Sequence, residues 1–460
     1  MKQLKYWFLS ILLIVGGAAH AKIYNILDYG ASRDSLKEST AGIQKAIDLC
    51  NAKGGGTVLV PSGTFLSGMI QLKSNVNLHL DPKATIKAIA NGTLYGSLIS
   101  IDAAENVSIT GKGLLFGNGT RFIIKESAPG RPRIVAVKNS KKVTIEDIRL
   151  RNSASWALSL SGNEHVVIRN ISVYSHGNFN NDGIDIDSKD VLVTGCIVDC
   201  SDDGICLKSD DPTKICENIT IKDCTVASNC NLIKMGTSSV SGFRNINISN
   251  CVLRRASESP LHAWNKDPKH FINEPITGIS GIALEIVDGG HMENVNISNI
   301  SMTGVQTPIF LRLGSRKTPT GSMKNITISH VRATAHSRMA SIISGVPGHD
   351  IEDVLLQDIT LEYPGGGTAE DAVRTVPENE SGYPENRMFG WSTPAYGFYI
   401  RHAKNITLDK IHLSLKHADQ RPAIWLEDTE GIKMKSVQAD KPSGGENWLK
   451  QINTRNLIIE

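Results

Sequence analysis

The sequence predicts an all-β protein of the parallel β-helix type, with a helical cap at its N-terminal end. Three observations lead to this prediction. A short strand motif recurs about every 25 residues, aromatic residues make up 5% of the 460 residues while glycine occurs 41 times, and a segment of helical periodicity precedes the first repeats. Repeats of this length are typical of solenoids, in which each coil buries its inward side chains against the next.

The strand motif consists of Asn or Asp, an aliphatic residue, a polar residue and a second aliphatic residue. Its alternation has the period of two expected of a half-buried strand. Clear copies begin at Asn75, Asn106, Asp190, Asn218, Asn245, Asn294, Asn325 and Asn405, and weaker copies begin at Lys142, His165, Asp353 and Gly431. The steps of 25, 28 and 27 residues between positions 165, 190, 218 and 245 each match one coil, and the 49 residues from 245 to 294 are predicted to span close to two coils.

Three cysteines lie in register with this motif, each five residues after the first aliphatic residue of its copy: Cys196, Cys224 and Cys251. Other copies place Ile or Val in the same slot, so we predict an inward stack of small hydrophobic side chains there and not disulfides. Four further cysteines remain open to disulfide pairing, which the sequence cannot define: Cys200, Cys206, Cys216 and Cys230.

A helix is predicted over residues 40–51, because apolar side chains recur there at helical spacing. The open end of a solenoid must be covered, so we expect this helix to cap the first coil. A loop insertion is expected around residues 362–394.

The first 21 residues have the pattern of a signal peptide. Two lysines precede an apolar run over residues 8–15, and Ala19-His20-Ala21 offers a small-x-small cleavage site. We therefore expect residues 1–21 to be a signal peptide and residues 22–460 to form one exported β-helix domain, periplasmic or extracellular. A buried N-terminal helix is the alternative. No later stretch is long and apolar enough to predict a membrane span.

Charge argues against a general nucleic-acid-binding protein. Lys and Arg number 49 and Asp and Glu number 46, which gives a formal net charge of +3. Nucleic-acid binding requires a concentrated basic face, so we predict no nucleic-acid partner. We expect the protein to be a monomer.

Two related acidic segments, residues 180–188 and 201–209, are the most specific local feature. Aligning their Asp-Gly steps places Asp182 over Asp203, one strand spacing apart, with Asp202 beside them. Carboxylates crowded in this way repel one another, so at least one should have a raised pKa. A protonated acid beside an ionised base is the arrangement that glycoside hydrolysis uses. A calcium site or a solvated Asp-rich turn is the alternative.

These segments, together with DYGA at 28–31, GGGTV at 54–58, PSGT at 61–64 and the stretch 294–308, resemble glycoside hydrolase family 28, the polygalacturonases and rhamnogalacturonan hydrolases. The resemblance covers most of the chain after residue 21. It implies a single-stranded right-handed parallel β-helix of the pectin-lyase-like type that hydrolyses pectic polysaccharides with inversion, without a metal or organic cofactor.

The resemblance also implies a role for each acid. Asp202 would be the general acid that protonates the leaving oxygen, and Asp182 and Asp203 would hold and deprotonate the attacking water. Such a water needs roughly 6.5 to 9.5 Å between the acid and base carboxyls.

Two motifs of the family are missing. Asn231 stands where the family has a histidine, and Ala283-Leu284-Glu285 stands where the family has an Arg-Ile-Lys that grips a substrate carboxylate. The departures favour exo action on short oligosaccharides, or a rhamnogalacturonan linkage, over random cutting of homogalacturonan.

Six residues are candidates for substrate binding: Lys208, Lys234, Arg312, Arg316, Arg401 and His402. We expect Lys208 and Lys234 to stack on adjacent coils, and Arg312 and Arg401 to follow Glu285 along one column, where cations can pair with galacturonate carboxylates. Ordinary solubilising side chains are the alternative. Three tryptophans are candidates to stack on sugar faces, with packing in the core or in turns as the alternative: Trp156, Trp264 and Trp391.

The predicted function is therefore that of an exported inverting glycosidase acting on galacturonic-acid-containing pectic polysaccharide or oligosaccharide. Two other classes remain open, because the fold alone does not define function. One is a calcium-dependent pectate lyase on a similar solenoid, and the other is a non-enzymatic β-helical glycan-binding protein.

Overall fold

The structure, a computed structural model, describes residues 22–90, 96–125, 129–258, 277–444 and 447–460. All named strands in this part of the chain pair in parallel and join into one continuous sheet that winds along the chain. The paired strands form three series along the solenoid, and each complete coil contributes to all three. The predicted fold class, a right-handed parallel β-helix, is therefore confirmed. The predicted signal peptide, residues 1–21, lies outside the described residues.

The strands of the first coils are Ile23–Asn25, Gly56–Val60, Gly63–Ser67, Ile70–Leu72, Val76–Leu80, Ala84–Ala88, Ser97–Asp102, Glu105–Gly111, Leu114–Phe116, Arg133–Lys138, Lys141–Glu146 and Arg149–Arg151. The strands of the middle coils are Leu158–Arg169, Ser172–Ser175, Ile184–Thr194, Ile197–Cys200, Ile205–Ser209, Cys216–Lys222, Thr225–Ser228, Asn231–Ser239 and Gly242–Arg255. The strands of the last coils are Gly278–Ile286, His291–Leu313, Ser322–Ala335, Ser341–Ser344, Ile351–Tyr363, Phe398–Leu415, Ile424–Glu430, Lys433–Ala439, Leu449–Arg455 and Ile458–Ile459.

The repeated motif forms one of the three series. Its first aliphatic residues pair directly from coil to coil, as Val191 with Ile219 and Ile219 with Ile246. The Asn or Asp that opens each copy adopts a left-handed backbone conformation, which these two residue types tolerate better than most. Their side chains form a ladder, in which Asn218 donates to Asp190 at 2.8 Å and Asn245 donates to Asn218 at 3.1 Å. The motif is thus both a strand and the turn before it.

The expected coil count between positions 245 and 294 is wrong. Ile246 pairs directly with Val295, so the 49 residues from 245 to 294 make one coil and not two. Val354 and Ile406 pair in the same way across the insertion that follows Ile351–Tyr363. An insertion between two strands leaves the coil as a loop and adds no layer to the core, so sequence distance alone overstates the number of coils.

The inward cysteine stack is confirmed. Cys196, Cys224 and Cys251 are buried in the central apolar core, and Cys251 pairs with Ile300 in the next coil, as the shared slot predicts. All eight cysteines of the chain are unbridged, including the four that the sequence left open to pairing.

The predicted cap is the α-helix Thr40–Ala52, whose buried face includes Ile43, Ile47 and Cys50 and packs on the first strands. The other helices of the described residues are the one-turn α-helix Ala369–Ala372 and the 3-10 helices Ile26–Tyr29, Gly119–Arg121 and Asn386–Phe389. Within the described residues, no helix has the length and apolarity needed to cross a membrane.

Candidate active site

The two acidic segments lie on adjacent coils, as predicted. Ile184 pairs with Ile205 and Ile186 with Leu207, and the backbone N–H of Gly183 donates to the carbonyl of Asp203 at 2.9 Å. The four apolar side chains point into the core, so the aspartates before them lie on the outer face.

Glycine is required at both Asp-Gly steps because the coils approach closely there. A Cβ on Gly183 would collide with Val198 and with the carbonyl of Gly204, and a Cβ on Gly204 would collide with Val226 and the carbonyl of Leu232. The glycines therefore let the two acidic segments lie one strand spacing apart.

The three aspartates meet in a cleft of about 670 Å³. Its walls come from the acidic segments, from neighbouring strands and from the insertion before Phe398–Leu415. The lining residues are Trp156, Phe179, Asn180, Asp182, Asp202, Asp203, Lys208, Cys230, Lys234, Thr237, Ser238, Tyr383, Glu385 and Arg387.

Asp203 is held as a carboxylate. Lys234 Nζ lies 3.1 Å from its Oδ2, and the side chain of Asn231 donates to its Oδ1 at 2.9 Å. Burial alone would raise the pKa of Asp203, but the charges of Lys234 and Lys208 and the bond from Asn231 outweigh it and hold the pKa below its usual value. Asn231, which replaces the family's histidine, thus acts on the ionisation of this acid.

The pKa of Asp182 is shifted in the opposite direction. Burial and the nearby charges of Asp185 and Asp202 raise its pKa well above the usual value, and Lys208, with Nζ at 3.7 Å, offsets this only in part. The expectation that crowding raises the pKa of at least one acid is therefore confirmed.

Asp202 is half-buried at the cleft, and its Oδ1 accepts the backbone N–H of Asp203 at 2.9 Å. One oxygen of Asp202, one of Asp203 and Cys230 Sγ lie within 4.8 Å of one another. The nearest oxygens of Asp202 and Asp203 are therefore less than 4.8 Å apart, while the gap of about 6.5 to 9.5 Å between the acid and base carboxyl groups stays a prediction.

The expected stacking of Lys208 on Lys234 is wrong. Lys234 pairs with Cys206, and the register shifts after Leu207, so the two lysines belong to different columns. Both nevertheless reach the cleft, each beside a different aspartate. A strand pattern of period two looks the same after a slip of two residues, which is why spacing alone misplaced them.

Arg312 and Arg401 do follow Glu285 along one column, as predicted, through Ser344. Both arginines are almost completely buried, and both donate hydrogen bonds to the insertion that follows Ile351–Tyr363. Arg312 donates to the carbonyls of Glu378 and Asn379, and Arg401 donates to those of Val376 and Pro377. Their guanidinium groups therefore anchor a loop, and their binding of substrate stays a prediction.

The last two predicted binding residues lie at the edge of the cleft or away from it. Arg316 forms a bidentate pair with Asp288 and lies 6.0 Å from the ring of Tyr383. His402 contacts Glu378 and lines a separate cavity, so the structure does not bring it to the acids.

Sequence reasoning missed Asp185, Tyr383, Glu385 and Arg387. Asp185 lies in the first acidic segment, and its position on the outward face was the available signal. The other three come from the insertion, whose existence was predicted but whose contact with the acids no strand pattern could show. Among the tryptophans, Trp156 lines the cleft, Trp391 does not, and Trp264 lies outside the described residues.

A chain with this site matches a known family. The family described as rhamnogalacturonase A/epimerase, pectate lyase-like, matches residues 23–253, half of the chain. The chain belongs to this family. The predicted membership in glycoside hydrolase family 28, and with it the prediction of a glycosidase, is confirmed.

Relatives and solved structures agree with this membership. The chain is 23% identical over 380 residues to an exopolygalacturonase of Zea mays, covering 76% of this chain and 86% of that one. It is 26% identical over 307 residues to a probable rhamnogalacturonase A of Aspergillus oryzae, covering 63% and 60%. The crystal structure of a hyperthermoactive exopolygalacturonase from Thermotoga maritima has the same fold, with a TM-score of 0.66, 22% identity and coverage of 85% and 92%.

Proposed function

We propose that this member of family 28 is an exported inverting hydrolase that cleaves glycosidic bonds in galacturonic-acid-containing pectic polysaccharide or oligosaccharide. The observation that carries the proposal is the convergence of Asp182, Asp202 and Asp203 on one cleft. The names of the relatives, exopolygalacturonase and rhamnogalacturonase, support the substrate class.

Each of the three acids has its own role in proton transfer. Asp202 opens on the cleft and donates its proton to the leaving oxygen as the bond breaks. Asp203 is ionised and hydrogen-bonded by Lys234, so it is ready to accept a proton from the attacking water. Asp182 shares in holding this water, and because its pKa is raised, it accepts a proton only where the pH is high enough for it to be ionised. Activity should therefore rise with pH as Asp182 ionises.

The insertion supports action at chain ends or on short oligosaccharides. Arg312 and Arg401 hold its backbone, and it places Tyr383, Glu385 and Arg387 in the same cleft as the acids. A fixed wall beside the reacting bond limits the length of sugar chain that fits on that side. A rhamnogalacturonan linkage remains the second substrate candidate, since an Aspergillus oryzae relative is named for it.

A calcium-dependent lyase fits the cleft less well. Calcium prefers a shell of six to eight oxygen ligands. Here the cations Lys208 and Lys234 already lie beside Asp182 and Asp203, and the third group near Asp202 and Asp203 is the thiol of Cys230, whose pKa burial raises. A glycan-binding protein without activity would leave the opposite pKa shifts of Asp182 and Asp203 without a use.

The proposal is tested with a panel of defined pectic fragments, followed by chromatography of the products. New reducing ends that disappear in Asp202→Asn would support hydrolysis, and the released lengths would show the linkage and the mode. Proton NMR of fresh products reports inversion through the anomer that forms first. Unsaturated products, or loss of activity with a chelator, would indicate the lyase; retention of glycan without turnover would indicate the binding protein.

Export is part of the proposal and has its own measurement. A protein cleaved after Ala21 and recovered outside the cytoplasm would begin at Lys22 on N-terminal sequencing. Light scattering of that protein would test the expected monomer.

A further inference from the structure

Asp185 is a buried acid for which the proposed mechanism has no use. It lies on strand Ile184–Thr194 and is only 2% exposed. Neither of its carboxylate oxygens has a hydrogen bond of good geometry, and within the described residues Lys208 is its ion-pair partner, with Nζ 3.1 Å from Oδ1. A buried charge with one partner depends strongly on that partner.

Lys208 is fixed between two carboxylates. Its Nζ lies closer to Asp185, at 3.1 Å, than to Asp182, at 3.7 Å. The ring of Trp156 lies 4.9 Å from the same atom, and Cys206 Sγ lies 3.4 Å from it. These contacts restrict the ammonium group, so it cannot move fully to either acid.

We propose that Asp185 is a positioning residue that draws the charge of Lys208 away from Asp182, and that this pair sets the pH at which Asp182 ionises and the site becomes active. The inference rests on the proposed function for its link to activity. Asp182 also faces Asp202, Asp203 and the thiol of Cys200. Asp185 also faces Asp203 and Arg133.

The test uses two variants with opposite expected effects. Asp185→Asn removes a negative charge that competes with Asp182 for Lys208, so the acidic limb of kcat/KM should move to lower pH by about one unit. Lys208→Met removes the positive charge, so the limb should move to higher pH by a similar amount. Asp187→Asn is the matched control. Asp187 is a buried acid on the outer face of the same strand, and its side chain lines a different cavity.

A readout without catalysis separates this inference from the proposed function. Because the folded pKa of Asp182 lies above its unfolded value, its contribution to stability falls as pH rises between the two and is then constant. Comparison of melting curves with and without Asp182→Asn gives the pH at which this fall ends. That pH should be lower in the Asp185→Asn background and higher in the Lys208→Met background.

The inference would be overturned if the acidic limb of kcat/KM and the melting transition moved in the same direction in both variants, or did not move at all. If the wild type releases no product from any fragment, the proposed function fails, and the melting curves alone decide the role of Asp185. If the wild type is active and only the Asp185→Asn profile is unchanged, the positioning role fails while the function stands.

Discussion

Lys234 and Asp203 form an almost completely buried ion pair, with Nζ 3.1 Å from Oδ2. The same lysine lies 3.9 Å from Oε2 of Glu285, which is buried beneath the cleft. One cation thus lies beside Asp203, whose pKa is lowered, and Glu285, whose pKa is raised. The ionisation of both acids therefore depends on Lys234.

Replacing this lysine should change both activity and stability. In Lys234→Met, Asp203 loses its cation and its pKa rises, so the acidic limb of kcat/KM should move to higher pH. Leaving a buried charge without its partner should also cost about 3 kcal/mol in the free energy of unfolding at pH 7. Lys189→Met, which removes an exposed partner of Glu164, is the control for stability. A pH profile identical to that of the wild type would contradict the role of Lys234.

Asp202 should matter most when the leaving group is poor. Asp202→Asn is expected to lower kcat on pectic oligosaccharides by about 10²- to 10⁴-fold, the usual contribution of a general acid, with little change in KM. A nitrophenyl galacturonide needs no protonation of its leaving group, so its hydrolysis should fall far less. Equal losses on both substrates would argue that Asp202 is not the proton donor.

The insertion should loosen when its arginine anchors are removed. Arg312→Met leaves the carbonyls of Glu378 and Asn379 without their arginine donor, at a cost of about 1 to 3 kcal/mol for each of these partly buried groups left unpaired. We expect faster proteolysis within residues 373–391 and a raised KM. Arg455→Met, an exposed side chain paired with Glu430, is the matched control and should change neither.

Glu285 should make the protein less stable at alkaline pH. Burial raises its pKa to about 8, from a usual value of 4.5. Because its folded pKa lies above the unfolded one, the contribution of Glu285 to the free energy of unfolding is greatest below about pH 4.5 and falls as pH rises towards about 8. Glu285→Gln, which mimics the protonated form, should therefore melt at a higher temperature than the wild type at pH 8, and the difference should shrink towards pH 5. A constant difference across this range would count against a protonated Glu285.

The sequence was sufficient for the features that depend on local pattern. The Asn motif combines a turn and a strand in four residues, and the step from Asp182 to Asp203 follows from two glycines that permit close coils. The failures involve longer distances. Lys208 and Lys234 were misplaced because a slip of two residues preserves the alternation. The burial of Arg312 could not be predicted, because nothing in its strand shows that a distant insertion covers it.

The eight unbridged cysteines have a practical consequence for production of the enzyme. The coils are held by packing and by hydrogen bonds between layers, and no covalent cross-link has to form while the chain folds. We therefore expect residues 22–460 to fold in a reducing bacterial cytoplasm, without oxidants or disulfide isomerases.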